Sequence, residues 1–329
     1  MNPNSHADDL SGHTALVTGA TSGIGFEAAA QLADAGYATV IITGRSQERA
    51  QAAATALAER TGRDVFEAVA LDLGDADSTQ AAAAALAGRT LHALVLNAGI
   101  VSGSERKFTS DGIELTFASS VIGHHRLTAA LLAAGTLAPD AHIVIAGSEA
   151  ARGDVPTMNI AHLDQVAGEH FQGDLVGAAT ALMRGEQPTR FKPFDTYATT
   201  KVFTAWWVAA LARRLPVGMT VDAVSPGNTP DTGAVRNASF IMRKVMVPMM
   251  LRMPARLRMT SSVPQAANRY LEVLQYPADA SGSFFASAPK KMTGPLERMQ
   301  QAHFGVQEYQ EAAWSATVAV AGVDVIAPS

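Results

Sequence analysis

The sequence predicts an α/β fold in which one parallel sheet is covered by helices on both of its faces. Short apolar runs, several of them β-branched, alternate with helical patterns along the first half of the 329-residue chain. The runs at residues 14–18, 38–43 and 91–96 are largely apolar rather than apolar at every second position, which is typical of strands buried on both faces. A glycine-rich turn joins the first run to the first helical pattern. These features together predict a doubly wound parallel sheet.

The predicted elements follow one another along the chain. Strands are expected at residues 14–18, 38–43, 65–71, 91–96, 142–146, 219–224 and 283–286. Helices are expected at residues 24–35, 46–60, 75–87, 111–134, 196–214, 262–275 and 296–316. The alternation breaks at residues 149–193, which have no clear periodicity apart from some helix near residues 175–183. We therefore predict a single domain over residues 1–329, with an N-terminus at residues 1–10 that we expect to be flexible and an insertion at residues 149–193.

The composition excludes several classes of function. Apolar residues make up 48% of the chain and charged residues 17%, which suits a folded domain with a sizeable core. The net charge of -5 gives no basic face for nucleic acid, and the absence of cysteine excludes disulfides and thiolate sites. The N-terminus lacks the features of a signal peptide, and no apolar run is long enough to span a membrane. A cytoplasmic protein is expected.

A glycine-rich turn, TGATSGIG at residues 18–25, lies between the first predicted strand and the first predicted helix. Gly19 would let the chain turn tightly, Gly23 would let a pyrophosphate approach the backbone, and Gly25 would let helix and strand pack closely. The helix N-terminus would face the phosphates with free N–H groups. An accidental glycine cluster is the weaker explanation, because the required strand and helix flank the turn. The turn therefore predicts dinucleotide binding.

The end of the second predicted strand indicates which dinucleotide binds. Chains that bind NAD usually have Asp or Glu there for the ribose 2′-hydroxyl, whereas this chain has Thr43-Gly44-Arg45-Ser46. Arg45 is placed to bind a 2′-phosphate by charge and hydrogen bonds, with an ordinary surface arginine as the alternative. NADP(H) is therefore the predicted cofactor. Asp72, after the third strand, is expected either to meet the adenine amino group or to cap a helix before Gly74.

Four further motifs follow in an order that is typical of one family. They are Asn97-Ala98-Gly99 after the fourth strand, Ser148 after the fifth, Tyr197 and Lys201 in a YxxxK pattern, and Pro226-Gly227 after the sixth strand. With these motifs the chain resembles the short-chain dehydrogenase/reductase family along nearly its whole length, and within it the subgroup around retinol dehydrogenases and protochlorophyllide reductases. The resemblance implies a Rossmann-type fold, an NADP-dependent oxidoreductase, and a homo-oligomer, either a dimer or a tetramer. It also implies cofactor contacts from Thr21, Ser22, Ile24, Ser46, Asp72, Leu73, Asn97, Ala98, Gly99, Tyr197, Lys201, Pro226, Gly227 and Thr229.

The residue types of the YxxxK region suit acid–base catalysis. Tyr197 and Lys201 are four positions apart on a predicted helix and therefore share a face. A nearby ammonium is expected to lower the pKa of Tyr197, which would then exchange a proton with a substrate oxygen near neutral pH. Ser148 would polarise that oxygen by hydrogen bonding. A capping serine, a packed tyrosine and a solvated lysine are the alternatives when each residue is taken singly.

Two features depart from the family pattern. Ser120 stands where the family usually has a catalytic Asn that helps to hold a water joining the Lys to solvent. Either Ser120 still binds a water or His124 contributes, although a lone helical histidine more often packs or caps. The second departure is the unusual length of the segment between Ser148 and Tyr197, which resembles that of the subgroup. Within it we expect a solvated surface and no metal site at His162, Asp164, Glu169 and His170.

In this family the segment after Pro226-Gly227 covers the substrate. Here residues 233–261 are rich in methionine, which adapts to irregular apolar shapes, and they predict a bulky hydrophobic substrate. A core or dimer helix explains the methionines equally well. The interleaved arginines also suit a membrane-surface helix, which is the least favoured explanation because prolines interrupt the segment. Of Trp206 and Trp207 on the YxxxK helix, one is expected to pack inward and the other to serve an oligomer contact.

The sequence thus predicts an enzyme that interconverts a carbonyl and an alcohol on a hydrophobic small molecule. Tyr197 is the expected acid and base, Ser148 polarises the substrate oxygen, and Lys201 tunes Tyr197 and binds ribose. Reduction of a C=C bond, as protochlorophyllide reductases perform it, is a close alternative that the absence of cysteine disfavours. A non-catalytic NADP(H)-sensing protein is another alternative, favoured by the replaced Asn and disfavoured by the intact Ser, Tyr and Lys.

Overall fold

The computed structural model describes residues 10–186, 191–229 and 260–325, and its centre is an eight-stranded sheet. The strands are β1 (Thr14–Val17), β2 (Thr39–Gly44), β3 (Phe66–Ala70), β4 (Leu91–Leu96), β5 (Leu137–Ala146), β6 (Thr220–Val224), β7 (Phe284–Ser287) and β8 (Leu296–Arg298). They lie in the order β3-β2-β1-β4-β5-β6-β7-β8, and all neighbours are parallel except β7 and β8. The predicted doubly wound parallel sheet is confirmed.

Helices cover both faces of this sheet. They are α1 (Gly23–Asp34), α2 (Gln47–Thr61), α3 (Ala76–Ala85), α4 (Leu115–Phe117), α5 (Gly123–Ala133), α6 (Leu163–His170), α7 (Leu175–Met183), α8 (Pro193–Ala212), α9 (Val263–Val273), α10 (Ala302–Gly305) and α11 (Gln307–Ala321). Alternate residues of one strand point to opposite faces. Leu16 accordingly packs in the core that contains α3, α5, α7, α8 and α11, whereas Ala15 and Val17 pack in the core that contains α1, α2 and α9.

Two predicted helices have different boundaries in the structure. The helix expected at residues 111–134 begins at Leu115, because Gly112 turns with a φ of 76° and the carboxylate of Glu114 caps the helix. It then passes through a π-helical turn, Ala118–Ile122, before α5. The prediction of a helix at residues 296–316 is wrong at its start, because Leu296–Arg298 pairs with β7 as an antiparallel edge strand. The terminal helix α11 begins only at Gln307.

Within its described residues, the insertion at residues 149–193 contains a 3₁₀ turn and two helices, and the expected helix at 175–183 is α7. Helix α7 packs against α11, and α11 in turn packs against α8. Both Trp206 and Trp207 are therefore buried within the chain, each only 1% exposed. The expectation that one of them serves an oligomer contact is wrong, because the terminal helix already covers that face of α8.

Other expectations concern the protein surface and segments that lie mostly outside the described residues. His162, Asp164, Glu169 and His170 are exposed, as expected. Among the described residues, no helix is both long and apolar enough to cross a membrane, and no group of three or more His, Asp or Glu side chains could hold a metal ion. The methionine-rich segment predicted at residues 233–261 lies outside the described residues except for its last two positions, and the N-terminal segment lies outside them except for Leu10.

Candidate active site

The glycine-rich turn between β1 and α1 has the geometry that its sequence predicts. Gly19 and Gly23 have φ angles of 64° and 62°, in the left-handed region that favours glycine. A Cβ atom on Gly25 would lie 2.4 Å from Nδ2 of Asn97 and 2.7 Å from the carbonyl oxygen of Gly19. Thr21 and Ser22 are exposed at this turn, and Ile24 is half-buried. The turn therefore requires glycine at these three positions, and it leads directly into the N-terminus of α1.

Arg45 and Ser46 follow β2, and the end of β2 touches the glycine-rich turn. A Cβ atom on Gly44 would lie 2.7 Å from Cγ2 of Thr21, so Arg45 emerges beside the turn. Arg45 is exposed, and no ion pair joins it to another of the described residues. Ser46 caps α2, because its Oγ accepts a hydrogen bond from the backbone N–H of Arg49 at 3.3 Å.

Asp72 closes a local turn and is not the helix cap that was the alternative to cofactor binding. Its Oδ1 accepts a hydrogen bond from the backbone N–H of Gly74 at 3.0 Å, which closes the turn before α3. The cap of α3 itself is Asp75, whose side chain accepts from two backbone N–H groups. Leu73, between these residues, is buried. A contact between Asp72 or Leu73 and the adenine therefore stays a prediction.

Asn97 joins the end of β4 to the end of β1. Its Nδ2 donates to the carbonyl oxygen of Thr18 at 2.9 Å, and its Oδ1 accepts from the hydroxyl of Tyr270 at 3.1 Å. Tyr270 lies on α9 and is fully buried. Asn97 thus fixes the glycine-rich turn to the neighbouring strand.

His124 follows the π-helical turn in the chain, and its ring connects Ser120 of that turn to Thr18. The backbone N–H of Ala98 donates to Oγ1 of Thr18 at 3.0 Å, and Oγ1 lies 3.0 Å from Nε2 of His124. The other ring nitrogen, Nδ1, lies 3.2 Å from the carbonyl oxygen of Ser120. Because Oγ1 of Thr18 already accepts from Ala98, its own hydrogen is free to be donated to Nε2, whereas the carbonyl oxygen of Ser120 can only accept. The ring proton is therefore assigned to Nδ1, and Nε2 accepts from Thr18. Burial lowers the pKa of His124 to about 3, so the ring is neutral at physiological pH.

Ser120 presents a buried hydroxyl to the centre of the site. Its Oγ has no hydrogen-bond partner among the described residues. A Cβ atom on Gly99 would lie 3.2 Å from Oγ of Ser120 and 3.7 Å from Nζ of Lys201, so both polar atoms face the same glycine. Buried polar groups are nearly always paired, and an orphan hydroxyl beside a lysine indicates a place for a ligand or a water.

Ser148, Tyr197 and Lys201 meet at the carboxyl ends of β5 and β6. The hydroxyl of Ser148 is within hydrogen-bonding reach of that of Tyr197, and Oγ of Ser148 accepts from the backbone N–H of Ala150 at 3.2 Å. Nζ of Lys201 donates to the carbonyl oxygen of Ala146 at 2.7 Å and lies 5.7 Å from the centre of the Tyr197 ring. The structure thus brings the three predicted catalytic residues together.

The expected effect of Lys201 on Tyr197 is not what the structure shows. Burial raises the pKa of Tyr197, the hydrogen bond from Ser148 opposes this shift, and the charge of Glu149 adds to it. Burial also lowers the pKa of Lys201 to about 8. The expectation of a lowered pKa for Tyr197 is therefore wrong, because the loss of hydration on burial dominates the shift.

The Pro226-Gly227 turn follows β6. Gly227 has a φ of 85°, and its backbone N–H donates to Oγ of Ser225 at 3.2 Å. Thr229 is buried at the end of this described segment. The turn lies at the same edge of the sheet as Ser148, because β5 and β6 are parallel neighbours.

Comparison with known proteins gives the family of this chain. Residues 13–160 match the family model described as short chain dehydrogenase. The chain is 32% identical over 232 residues to a WW domain-containing oxidoreductase of Gallus gallus, covering 70% of this chain and 52% of the relative. It is 30% identical over 241 residues to the polyprenol dehydrogenase of Mus musculus, covering 70% and 64%. A short chain dehydrogenase of Burkholderia cenocepacia, solved in complex with NADP, superposes with a TM-score of 0.59 at 26% identity, covering 85% of this chain and 97% of that one.

The chain belongs to the short-chain dehydrogenase/reductase family. The matches span 52% and 64% of the two curated relatives, about half to two thirds of their length. The family model covers the glycine-rich turn, Asn97-Ala98-Gly99 and Ser148. The Tyr197 and Lys201 pair lies beyond it, and its assignment depends on the geometry described above.

The residues present in this short-chain dehydrogenase/reductase fit a nicotinamide dinucleotide. Gly19 and Gly23 form a tight turn that leads into the N-terminus of α1, where backbone N–H groups can meet phosphates. The orphan hydroxyl of Ser120 and the ammonium of Lys201 lie together where the resemblance expects the nicotinamide ribose.

Sequence reasoning missed a buried ion pair beside Ser148. Oε1 of Glu149 lies 3.2 Å from Nη1 of Arg269, and the two side chains are only 2% and 7% exposed. A usable signal was present, because Arg269 interrupts the apolar face of a predicted helix next to Tyr270. The partner Glu149 could not be inferred, since the two residues are far apart in the chain.

Proposed function

We propose that this protein is an NADP(H)-dependent oxidoreductase that interconverts a carbonyl and an alcohol on a hydrophobic small molecule. The observation that carries the proposal is the convergence of Ser148, Tyr197 and Lys201 beside a glycine-rich turn that suits a dinucleotide. Taken singly these residues have ordinary structural explanations, but one common location for all three is what acid–base catalysis at a carbonyl requires.

Tyr197 is the proposed acid and base. In reduction its phenol donates a proton to the carbonyl oxygen, and in oxidation its phenolate removes the proton of the alcohol. Ser148 is within hydrogen-bonding reach of the Tyr197 hydroxyl, so one substrate oxygen can contact both groups. Bound NADP(H) would supply or accept the hydride.

Lys201 is the proposed partner of the nicotinamide ribose. A pKa of about 8 leaves the side chain mainly protonated at pH 7, and one of its protons is already committed to the carbonyl of Ala146. Its Nζ atom and the hydroxyl of Ser120 both lie next to Gly99. We propose that Ser120 and Lys201 share a water or a ribose hydroxyl there, in place of the water that the family's Asn helps to hold.

Arg45 is the proposed determinant of NADP(H) over NAD(H). It emerges beside the glycine-rich turn, is exposed, and has no ion pair among the described residues, so its guanidinium is available for a 2′-phosphate. The NADP complex of the similar Burkholderia cenocepacia protein is in keeping with this choice. The hydrophobic nature of the substrate rests on the sequence of residues 233–261, and the name of the mouse relative, polyprenol dehydrogenase, is in keeping with it.

The test is oxidation of NADPH and of NADH across a panel of apolar ketones, aldehydes and enones, followed by the absorbance of the reduced nicotinamide. Wild-type protein should turn over with NADPH in preference to NADH, and Tyr197→Phe should lose about 10²–10⁴-fold in kcat while still binding NADPH. Tyr309→Phe removes the same hydroxyl group from α11 and serves as the matched control. Tight NADPH binding without turnover on any compound would favour the sensor, and turnover on enones alone would favour the C=C reductase.

A further inference from the structure

The carboxylate of Glu149 lies at the centre of a buried hydrogen-bond cluster directly after Ser148. Its Oε1 accepts from Nη1 of Arg269 at 3.2 Å, from Oγ of Ser287 at 3.1 Å and from the backbone N–H of Ser287 at 3.4 Å. Its Oε2 accepts from the hydroxyl of Ser225. Both carboxylate oxygens are therefore fully engaged by the protein.

Arg269 lies on α9, and its guanidinium group extends into this cluster. Nη1 also donates to the carbonyl oxygen of Ser225 at 2.8 Å, and Nη2 donates to Oγ of Ser287 at 2.8 Å and to the carbonyl oxygen of Gly294 at 2.6 Å. The guanidinium thus contacts both partners of Glu149 as well as Glu149 itself. With the two side chains 2% and 7% exposed, the pair is closed off from solvent.

The cluster connects the two turns that frame the candidate active site. Glu149 follows Ser148 at the end of β5, and Ser225 precedes Pro226-Gly227 at the end of β6. Oγ of Ser225 accepts from the backbone N–H of Gly227, and a Cβ atom on Gly227 would lie 3.2 Å from Nη1 of Arg269. Any shift of Arg269 would therefore move the Pro226-Gly227 turn relative to Ser148.

We propose that Glu149 and Arg269 are a positioning pair, which fixes the distance between Ser148 and the Pro226-Gly227 turn and balances the charge next to Tyr197. The inference deepens the proposed function and rests on it. A role in stability alone does not account for the pair, because apolar residues of similar volume usually stabilise a buried site as well as an ion pair does.

The charge of the pair acts on Tyr197. The groups that face Tyr197 are the hydroxyl of Ser148, the ammonium of Lys201, Glu149, and Tyr270 on α9. Among the charged ones, Glu149 raises the pKa of Tyr197, and Arg269 partly offsets the field of that carboxylate because it is only 3.2 Å away. Removing either member of the pair therefore changes the charge near Tyr197, and the two removals change it in opposite directions.

Two variants separate this role from simple support of the fold. Glu149→Gln keeps an acceptor for Arg269 but leaves a net positive charge, which should lower the pKa of Tyr197. Arg269→Met leaves the carboxylate of Glu149 without its cation, which should raise the pKa of Tyr197. A buried charge within several ångströms shifts a pKa by about 1–3 units, and we expect about one unit in each direction. The double variant should return close to the wild-type value.

The experiment measures the pH dependence of NADPH-dependent reduction, whose rate falls as Tyr197 loses its proton. The same pKa is read without turnover from the ultraviolet absorbance of tyrosinate, as the difference between each protein and its Tyr197→Phe counterpart. Thermal unfolding identifies any variant that is not folded. If Arg269→Met does not fold, Arg269→Lys replaces it. Arg269→Lys keeps the charge, so the pKa of Tyr197 should shift little in that variant.

Opposite shifts in Glu149→Gln and Arg269→Met, with recovery in the double variant, support the positioning pair. Shifts in the same direction, or rates that fall with no shift in either titration, would overturn it. If the wild-type protein binds NADPH but reduces nothing, the proposed function fails. The tyrosinate titration then still decides whether the pair controls the charge at Tyr197.

Discussion

His124 gives the protein a defined sensitivity to acid. The side chain is fully buried, and its pKa is about 3 in the folded protein against 6.5 for a solvated histidine. Between these two values the unfolded chain binds a proton that the folded chain does not bind. The stability that the neutral His124 contributes is therefore present above pH 6.5 and is lost as the pH falls from 6.5 towards 3.

The size of this effect follows from the two pKa values. One pKa unit corresponds to about 1.4 kcal/mol, so the unfolded state gains about 2 kcal/mol from protonation of this one histidine at pH 5. The full loss of about 5 kcal/mol is reached below pH 3 and is an appreciable part of the total stability of a typical domain. Burial also lowers the pKa values of His125 and His303, so the wild-type protein should lose more than His124 alone accounts for.

A variant isolates the contribution of His124. His124→Gln cannot titrate, and its amide N–H can still donate to the carbonyl oxygen of Ser120. It loses the hydrogen bond with Thr18 and should be less stable than wild type at pH 7 by about 1–3 kcal/mol. Urea unfolding at pH 7 and pH 5 measures both proteins, and His170→Gln, at an exposed position on α6, is the control.

The change in unfolding free energy between pH 7 and pH 5 shows whether His124 is neutral in the folded protein. The loss of unfolding free energy between pH 7 and pH 5 should be smaller in His124→Gln than in wild type by about 2 kcal/mol. His170→Gln should lose as much as wild type. An equal loss in His124→Gln and wild type would refute the neutral, buried His124 and with it the proton assignment between Thr18 and Ser120.

Three other outcomes follow from the same structure. Arg45→Glu should raise the KM for NADPH by about 10–100-fold, because charge-assisted hydrogen bonds contribute about 1.5–3 kcal/mol each. Steady-state kinetics with NADPH and NADH measure this change, and an unchanged KM would exclude Arg45 as the ligand of the 2′-phosphate. Gly25→Ala places a Cβ atom 2.4 Å from Nδ2 of Asn97 and should weaken NADPH binding by at least about 10-fold in a fluorescence titration, whereas Gly12→Ala, with nothing within 4 Å, should not. Tryptophan emission should stay that of buried indoles on dilution, because α11 covers Trp206 and Trp207; a red shift would mean that a second copy of the chain covers them.

The sheet could be predicted from the sequence because its signals are local. Each buried strand is a short apolar run, and the glycine-rich turn needs three glycines whose reasons are steric and close in the chain. The edge strand Leu296–Arg298 has no such signal. It forms because it can pair with β7, and a propensity for helix over the same residues does not reveal that partner.

The candidate site was predictable in its members but not in its electrostatics. The spacing of Tyr197 and Lys201 places them on one face of α8, and the order of the strands brings Ser148 to them. The direction of the pKa shift of Tyr197 depends on how deeply its hydroxyl is buried and on Glu149, and neither follows from spacing. The Glu149–Arg269 pair and the hydrogen bonds of His124 likewise depend on long-range contacts that only the folded chain shows.

The central claim is that Tyr197 and the bound cofactor together reduce a carbonyl group. Its most direct test is transfer of deuterium from NADPH that carries deuterium at both positions of the nicotinamide C4 to a ketone or aldehyde that the protein accepts, followed by mass spectrometry of the product. One deuterium is expected on the carbon that bears the new hydroxyl group, with about 10²–10⁴-fold slower labelling by Tyr197→Phe. Product without deuterium, deuterium on a former C=C carbon, or undiminished labelling by Tyr197→Phe would contradict it.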